Sequence, residues 1–103
     1  MKLVAVTACP SGVAHTYLAA ESLEVAAKKY DVEIHVETQG SIGIENELTT
    51  DNIKNADAVI LTNNIGIKNE ERFKGKPVVR ISAGDCINKA EGIILKLKEK
   101  LKK

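Results

Sequence analysis

The chain has 103 residues, 44% hydrophobic against 28% charged, and a formal net charge of +1, the balance of one folded domain spanning residues 1–103. That charge, the absence of Trp and only 3% aromatics exclude the basic surface and stacking rings that nucleic-acid binding needs. No apolar run approaches the ~18 residues of a membrane span, so direct membrane insertion is excluded as well.

The first strand, Leu3 to Ala8, begins almost directly after Met1, which leaves no room for a signal peptide. It is apolar on both faces, as a central parallel strand is. A small-residue loop follows, and then a helix over about 14–29 with Ala19, Leu23, Ala26 and Tyr30 at helical spacing, widened by Leu18 and Val25. Val32-Glu33-Ile34-His35-Val36-Glu37 alternates strictly, which reads as a half-exposed edge strand with His35 on its solvent side. A Gly-punctuated loop runs from Thr38 to about Glu47, and Thr49 to Asn55 is expected to be a short helix. Ala58-Val59-Ile60-Leu61 is again apolar on both faces and belongs beside the first strand. Asn63 and Asn64 mark its exit, and a short helix carrying Phe73 is expected over 70–74. Pro77 opens the fourth strand, Val78 to Ile81, and a last helix is expected over 86–101 with Ile87, Ala90, Ile94, Leu97 and Leu101 on its buried seam. The lysines between 96 and 103 complement that helix's C-terminal dipole as a solvated face.

Alternating strands and helices predict an α/β three-layer sandwich: a four-stranded parallel sheet in the order 2-1-3-4 with helices on both faces. In that order the winding reverses between strands one and three, and ligands bind in the crevice beyond the carboxyl ends of those strands. Cys9 leaves strand one there, and Asn63-Asn64 leaves strand three there.

Cys9-Pro10-Ser11-Gly12-Val13-Ala14-His15-Thr16 is the most informative stretch of the chain. A thiol at a strand's end, a small-residue loop and a helix N-terminus together form an anion site. Unpaired N–H groups in the helix's first turn can hold phosphoryl oxygens, and their field favours thiolate over thiol. Cys9 is therefore the candidate nucleophile for a phosphoryl group. A cysteine after a buried strand is more commonly a small core side chain, but that reading leaves the Pro-Ser-Gly run unexplained. Gly12 lets backbone approach the anion, Ser11 supplies a hydroxyl, and Pro10 stiffens the strand exit without donating. Thr16 reaches either phosphoryl oxygens or backbone in the first helical turn. His15 steadies the phosphate or tunes the thiolate, or is a surface residue. Gln39 and Ser41, at the end of strand two, are candidates for the site's border, though an ordinary turn explains them equally well. Cys86, where the last strand turns into the last helix, has no partner at motif spacing and reads as packing.

The spacing Cys9-x5-His15-Thr16 is similar to the C-x5-R-[ST] loop of low-molecular-weight tyrosine phosphatases and the related arsenate reductases, which makes such an enzyme the alternative reading. Two features oppose it. His15 stands where those enzymes carry the arginine that grips phosphate with its planar fork, and no Asp-Pro pair is present to supply their general acid. A site that forms a phosphocysteine but is ill equipped to hydrolyse it suits a carrier.

The chain resembles, nearly end to end, the fructose-type IIB domains of the bacterial phosphoenolpyruvate-dependent sugar phosphotransferase system. The resemblance rests on residues 8–16, Ala19-Ala20-Glu21, Val36-Glu37-Thr38-Gln39-Gly40-Ser41, Ala56-Asp57-Ala58-Val59-Ile60 and Arg72-Phe73-Lys74-Gly75-Lys76-Pro77. Ser11 stands where the family often has Thr, which keeps the hydroxyl. The resemblance implies that Cys9 takes a phosphoryl group from a phosphohistidine on a IIA protein or domain, with the loop from Pro10 to Thr16 cradling its oxygens. The group then passes to a sugar held by a membrane-embedded IIC permease. It implies no metal or organic cofactor, and a cytoplasmic location at the inner face of the membrane.

Overall fold

The computed structural model describes residues 2–8, 13–40, 43–63 and 66–101, with the side chains of 13–15 and 101 left aside. Three apolar segments become parallel strands, β1 (Lys2–Thr7), β4 (Ala58–Thr62) and β5 (Val78–Ile81), and so does the alternating segment, β2 (Glu33–Gly40). These four run in the expected order. A fifth, β3 (Gly43–Glu45), pairs antiparallel with β2 through Thr38–Glu45, Gln39–Ile44 and Gly40–Gly43, so the sheet is mixed and ordered β3-β2-β1-β4-β5. The expectation of four parallel strands with β2 at the edge is corrected accordingly. Three residues, Gly43-Ile44-Glu45, are too short to show a period of two, and Gly43 supports the hairpin with φ of 111°, a conformation open to glycine.

Alternate residues of the central strands face opposite layers. Leu3, Ala5, Ala58 and Ile60 pack with Ala19, Leu23, Ala26 and Ala27 of α1 (Val13–Lys29) and with Cys86, Ala90, Ile94 and Leu97. Val4, Val6, Val59 and Leu61 face the other way, onto Leu48, Ile53, Ile67 and Phe73. That second layer is thin: one short helix, α2 (Thr50–Lys54), and a single 3-10 turn, Glu70–Phe73. Both lie where the sequence places short helices. Thr49 and Asn52 close α2's N-terminus reciprocally, each side chain bonding the other's backbone N–H at 3.1 and 3.0 Å.

α1 ends in a left-handed residue, Asp31 (φ 58°), with Val32 N–H returning to the Ala27 carbonyl at 2.8 Å and Asp31 N–H to Lys28 at 3.3 Å. This is a Schellman stop, and its two apolar members, Ala27 and Val32, are buried in the same cluster. The expected single last helix is two. α3 (Ala83–Asn88) is capped by Ser82, whose hydroxyl accepts from Asp85 N–H, and α4 (Ala90–Leu101) starts after a break at Lys89 (φ −126°, ψ 23°). Cys86, Ala90, Ile94 and Leu97 stay in phase across that break, all buried, so apolar spacing alone cannot reveal it.

Candidate functional site

The carboxyl ends of β1, β2 and β4 meet at one rim of the sheet. α1 lies on one face and α2 on the other, so the winding reverses between β1 and β4. Cys9, Pro10, Ser11 and Gly12, which join β1 to α1, lie outside the described residues, as do Ser41 and Asn64. Val13, Ala14 and His15 contribute their backbone to α1's first turn.

What is described is the frame of that segment. Thr7, Thr16, Thr38 and Thr62 are all at least nine-tenths buried at this rim. The Thr7 hydroxyl donates to the Thr16 carbonyl at 3.1 Å and so joins the end of β1 to the first turn of α1. The Thr62 hydroxyl meets Ala8 twice, accepting from its N–H and donating to its carbonyl, each at 2.9 Å. Thr16 is 1% exposed, and among the described residues its hydroxyl has no hydrogen-bond partner, so it bonds no described backbone group. Thr38 likewise carries a buried, unpartnered hydroxyl.

Gln39 sits at the rim, but its amide is engaged with protein. It accepts from Lys68 N–H at 2.9 Å and donates to the Lys68 carbonyl at 3.1 Å and to Glu37 at 2.9 Å. Asn63 is exposed, with its N–H bonded to Ile81. His35 is exposed as expected, with Nε2 3.1 Å from the Asn46 carbonyl oxygen.

Glu37 is the residue the sequence pattern misplaces. Alternation assigns it to the solvent side with Glu33 and His35, yet it is completely buried. Arg72 grips both its oxygens at 2.8 and 2.6 Å, and Leu48 N–H donates to it at 2.9 Å. Burial alone would push this carboxyl up. The guanidinium, the Gln39 amide and the Leu48 N–H outweigh that and hold it below the ordinary carboxylate value. The cluster ties the end of β2 to the segment before α2, to the segment after β4 and to the 3-10 turn. Its only sequence signal is that Glu37 and Arg72 each lie in a stretch shared with the IIB resemblance.

Cys86 is completely buried among aliphatic side chains, and burial, with a smaller push from Asp85, lifts its thiol to about 11. It is packing, as expected. In the native protein iodoacetamide should modify Cys9 below pH ~7 while Cys86 stays unmodified, because a free thiol ionises near ~8.5 and a helix N-terminus lowers that value. Peptide mapping of the modified protein checks it, and equal rates would remove the case for an activated Cys9.

An open α/β sheet whose winding reverses at a strand-to-helix crossover is a class of fold in which ligands bind beyond the carboxyl ends of the strands. The family model described as "PTS system, Lactose/Cellobiose specific IIB subunit" matches residues 4–96. The chain is 59% identical over 100 residues to the "PTS system fructose-like EIIB component 2" of Escherichia coli K12, covering 97% of this chain and 94% of that protein. Among solved structures, a domain of the fructose-specific IIABC component of Borrelia burgdorferi superposes with a TM-score of 0.87 at 57% identity, covering 92% of this chain and 90% of that one. A thioredoxin-dependent arsenate reductase of Corynebacterium glutamicum shares only the fold, with a TM-score of 0.55 at 16% identity over 97% of this chain and 61% of that one. The chain belongs to the IIB family of the phosphoenolpyruvate-dependent sugar phosphotransferase system.

Proposed function

We propose that this IIB protein is a phosphoryl carrier whose acceptor is the Cys9 thiolate, in a system that takes up fructose or a related sugar. The thiolate attacks the phosphorus of a phosphohistidine on a IIA partner; the S–P bond forms as the N–P bond breaks. A hydroxyl of the sugar held by the IIC permease then attacks the same phosphorus, its O–P bond forming as the S–P bond breaks; Cys9 leaves as thiolate and the hydroxyl proton passes to solvent. N–H groups of the loop and of α1's first turn, with the hydroxyls of Ser11 and Thr16, hold the three phosphoryl oxygens. Gly12 admits their close approach, Pro10 fixes the entry into the loop, and His15 balances the added negative charge. Asn63, Asn64, Gln39 and Ser41 border the surface on which the two partners dock in turn.

The observation that carries this reading is the frame: β1 stops at Thr7 and a 17-residue helix opens at Val13, on either side of Cys9-Pro10-Ser11-Gly12. The fructose-like naming of the relatives supports the sugar class. Among the described residues no helix is long and apolar enough to cross a membrane, and the transfer to sugar is assigned to the IIC component. The chemistry uses no metal or cofactor.

The phosphatase or arsenate-reductase alternative is weaker. Its likeness extends to the fold alone, and the one other thiol is completely buried. Intact-mass and peptide mass spectrometry after incubation with phosphorylated IIA partner tests the proposal. One phosphoryl group should map to the Cys9 peptide, stable in acid and released by iodine. A phosphoryl group on another residue, or none, would overturn it.

A further inference from the structure

The hydrogen bonds around Ala8 bear on how the thiol is held. The register of β1 on β4 ends at Val6–Leu61, and Thr62, the last residue of β4, stands opposite Ile81 of β5. The next N–H, that of Asn63, goes to Ile81. Backbone groups alternate in direction along a parallel strand, so with the Val59 and Asn63 N–H groups bonded toward β5 those of Thr62 face β1, and the completely buried Ala8 lies beyond the last paired rung on that side. The Thr62 side chain supplies one, its hydroxyl accepting from the Ala8 N–H and donating to the Ala8 carbonyl at 2.9 Å each. That carbonyl belongs to the peptide plane that ends at the Cys9 nitrogen. The plane is rigid, so the hydroxyl that fixes its oxygen fixes the direction in which the chain enters Cys9. Thr7 holds the other end of the segment, through the Thr16 carbonyl at 3.1 Å.

We propose that Thr62, from the neighbouring strand, is a positioning residue for the Cys9 thiol, locking the Ala8–Cys9 peptide so that the sulfur meets the N–H groups of the loop and α1. The assignment rests on Cys9 being the phosphoryl acceptor. Valine has the shape of threonine and lacks its hydroxyl, so Thr62→Val leaves a buried N–H and carbonyl at Ala8 without their partner. Those groups must find other partners by rotating the plane that leads into Cys9. Serine keeps the hydroxyl.

The test compares wild type, Thr62→Val and Thr62→Ser. Far-UV circular dichroism reports the fold, and mass spectrometry follows Cys9 alkylation by iodoacetamide between about pH 5 and 9. Stopped transfer from phosphorylated IIA partner gives the rate. Thr62→Val should keep the fold, shift the alkylation midpoint up toward that of a free thiol, and lose transfer by roughly ten- to a hundredfold, the scale expected for a misplaced reacting group. Thr62→Ser should restore both within roughly threefold. A folded Thr62→Val with an unmoved midpoint and wild-type transfer would overturn the assignment, and so would Thr62→Ser failing as Thr62→Val does. Should Thr62→Val not fold, Thr62→Ala, which removes the hydroxyl without adding bulk, carries the same comparison. Alkylation does not depend on phosphoryl transfer. If wild-type Cys9 takes no phosphate, the carrier reading fails on that result alone, while the midpoints still report whether Thr62 sets the thiol.

Discussion

Arg72→Met should destabilise this fold by about 3 kcal/mol at neutral pH, the lower end of the ~3–5 kcal/mol that removing one partner of a buried pair costs. The lower end applies because the Arg72 side chain is 18% exposed while that of Glu37 is 0% exposed. For a chain of this size the melting midpoint should fall by on the order of 20 °C. The pH dependence separates this loss from simple loss of packing. In the wild type the Glu37 carboxyl is held below its unfolded value, so its contribution is present above about pH 4.3 and is lost as pH falls through the lower folded value. In Arg72→Met the same carboxyl is buried without its cation, and its folded value rises above the unfolded one. The variant then gains stability relative to wild type as pH falls from neutral toward about 4. Urea denaturation at pH 7 and pH 4.5 should show the gap narrowing. A gap that is constant with pH would mean that Arg72 acts by stacking its guanidinium on Phe73, whose ring centroid lies 4.8 Å from the guanidinium carbon. Replacing both residues, Glu37→Gln with Arg72→Met, should recover part of the loss, because no unpaired charge remains.

This cluster also marks where local sequence pattern stops being informative. Strand alternation assigns Glu33, His35 and Glu37 to one face, and that much holds. What covers the face at Glu37 but not at His35 comes from Leu48 and Arg72, 11 and 35 residues away. Burial of that kind is set by tertiary packing and leaves no periodic trace. The central strands were legible because β1 and β4 are apolar on both faces, which only a doubly covered parallel strand tolerates. β3 was not, since three residues paired through a glycine hairpin carry no period. The break between α3 and α4 was hidden because it preserves the phase of the buried seam. In the site, the strand end at Thr7 and the helix entry at Val13 were legible from spacing, while the chemistry proposed for Cys9 and its loop rests on residue types. The threonines that frame them were not legible: Thr7 and Thr62 look like ordinary β-branched strand residues, and the role of Thr62 emerges only when β4 lies beside β1, that of Thr7 only when α1 folds back on the strand.

Cys9→Ser should lower phosphoryl acceptance from the IIA partner by at least about a thousandfold while leaving the melting midpoint near that of wild type, since the side chain changes by one atom. A helix N-terminus can bring a thiol, ~8.5 when free, into the range where much of it is thiolate at neutral pH. A serine hydroxyl lies far above that reach and would need a base to take its proton. Among the described residues at this rim, Thr7, Thr62 and Gln39 have their polar groups engaged with backbone or Glu37, and Glu37 is held by Arg72. None of these is poised to serve. His15, the nearest such group in sequence, is assigned to the phosphoryl charge and not to proton removal, so the double variant Cys9→Ser, His15→Ala should accept no more phosphate than Cys9→Ser alone. Transfer is measured with labelled phosphate from phosphorylated IIA partner, and sugar phosphorylation with membranes carrying the IIC permease. Stoichiometric phosphate on the serine variant would mean that the acceptor is another group and that the helix field at α1 has some other use. Retained phosphate on wild type with slow release to water, set against its prompt loss when permease and sugar are added, would distinguish a relay from a phosphatase. On the proposed relay the S–P bond would have to resist water and yield to a sugar hydroxyl, and a loop lacking the phosphatase arginine, in a chain lacking the Asp-Pro general acid, would favour that difference.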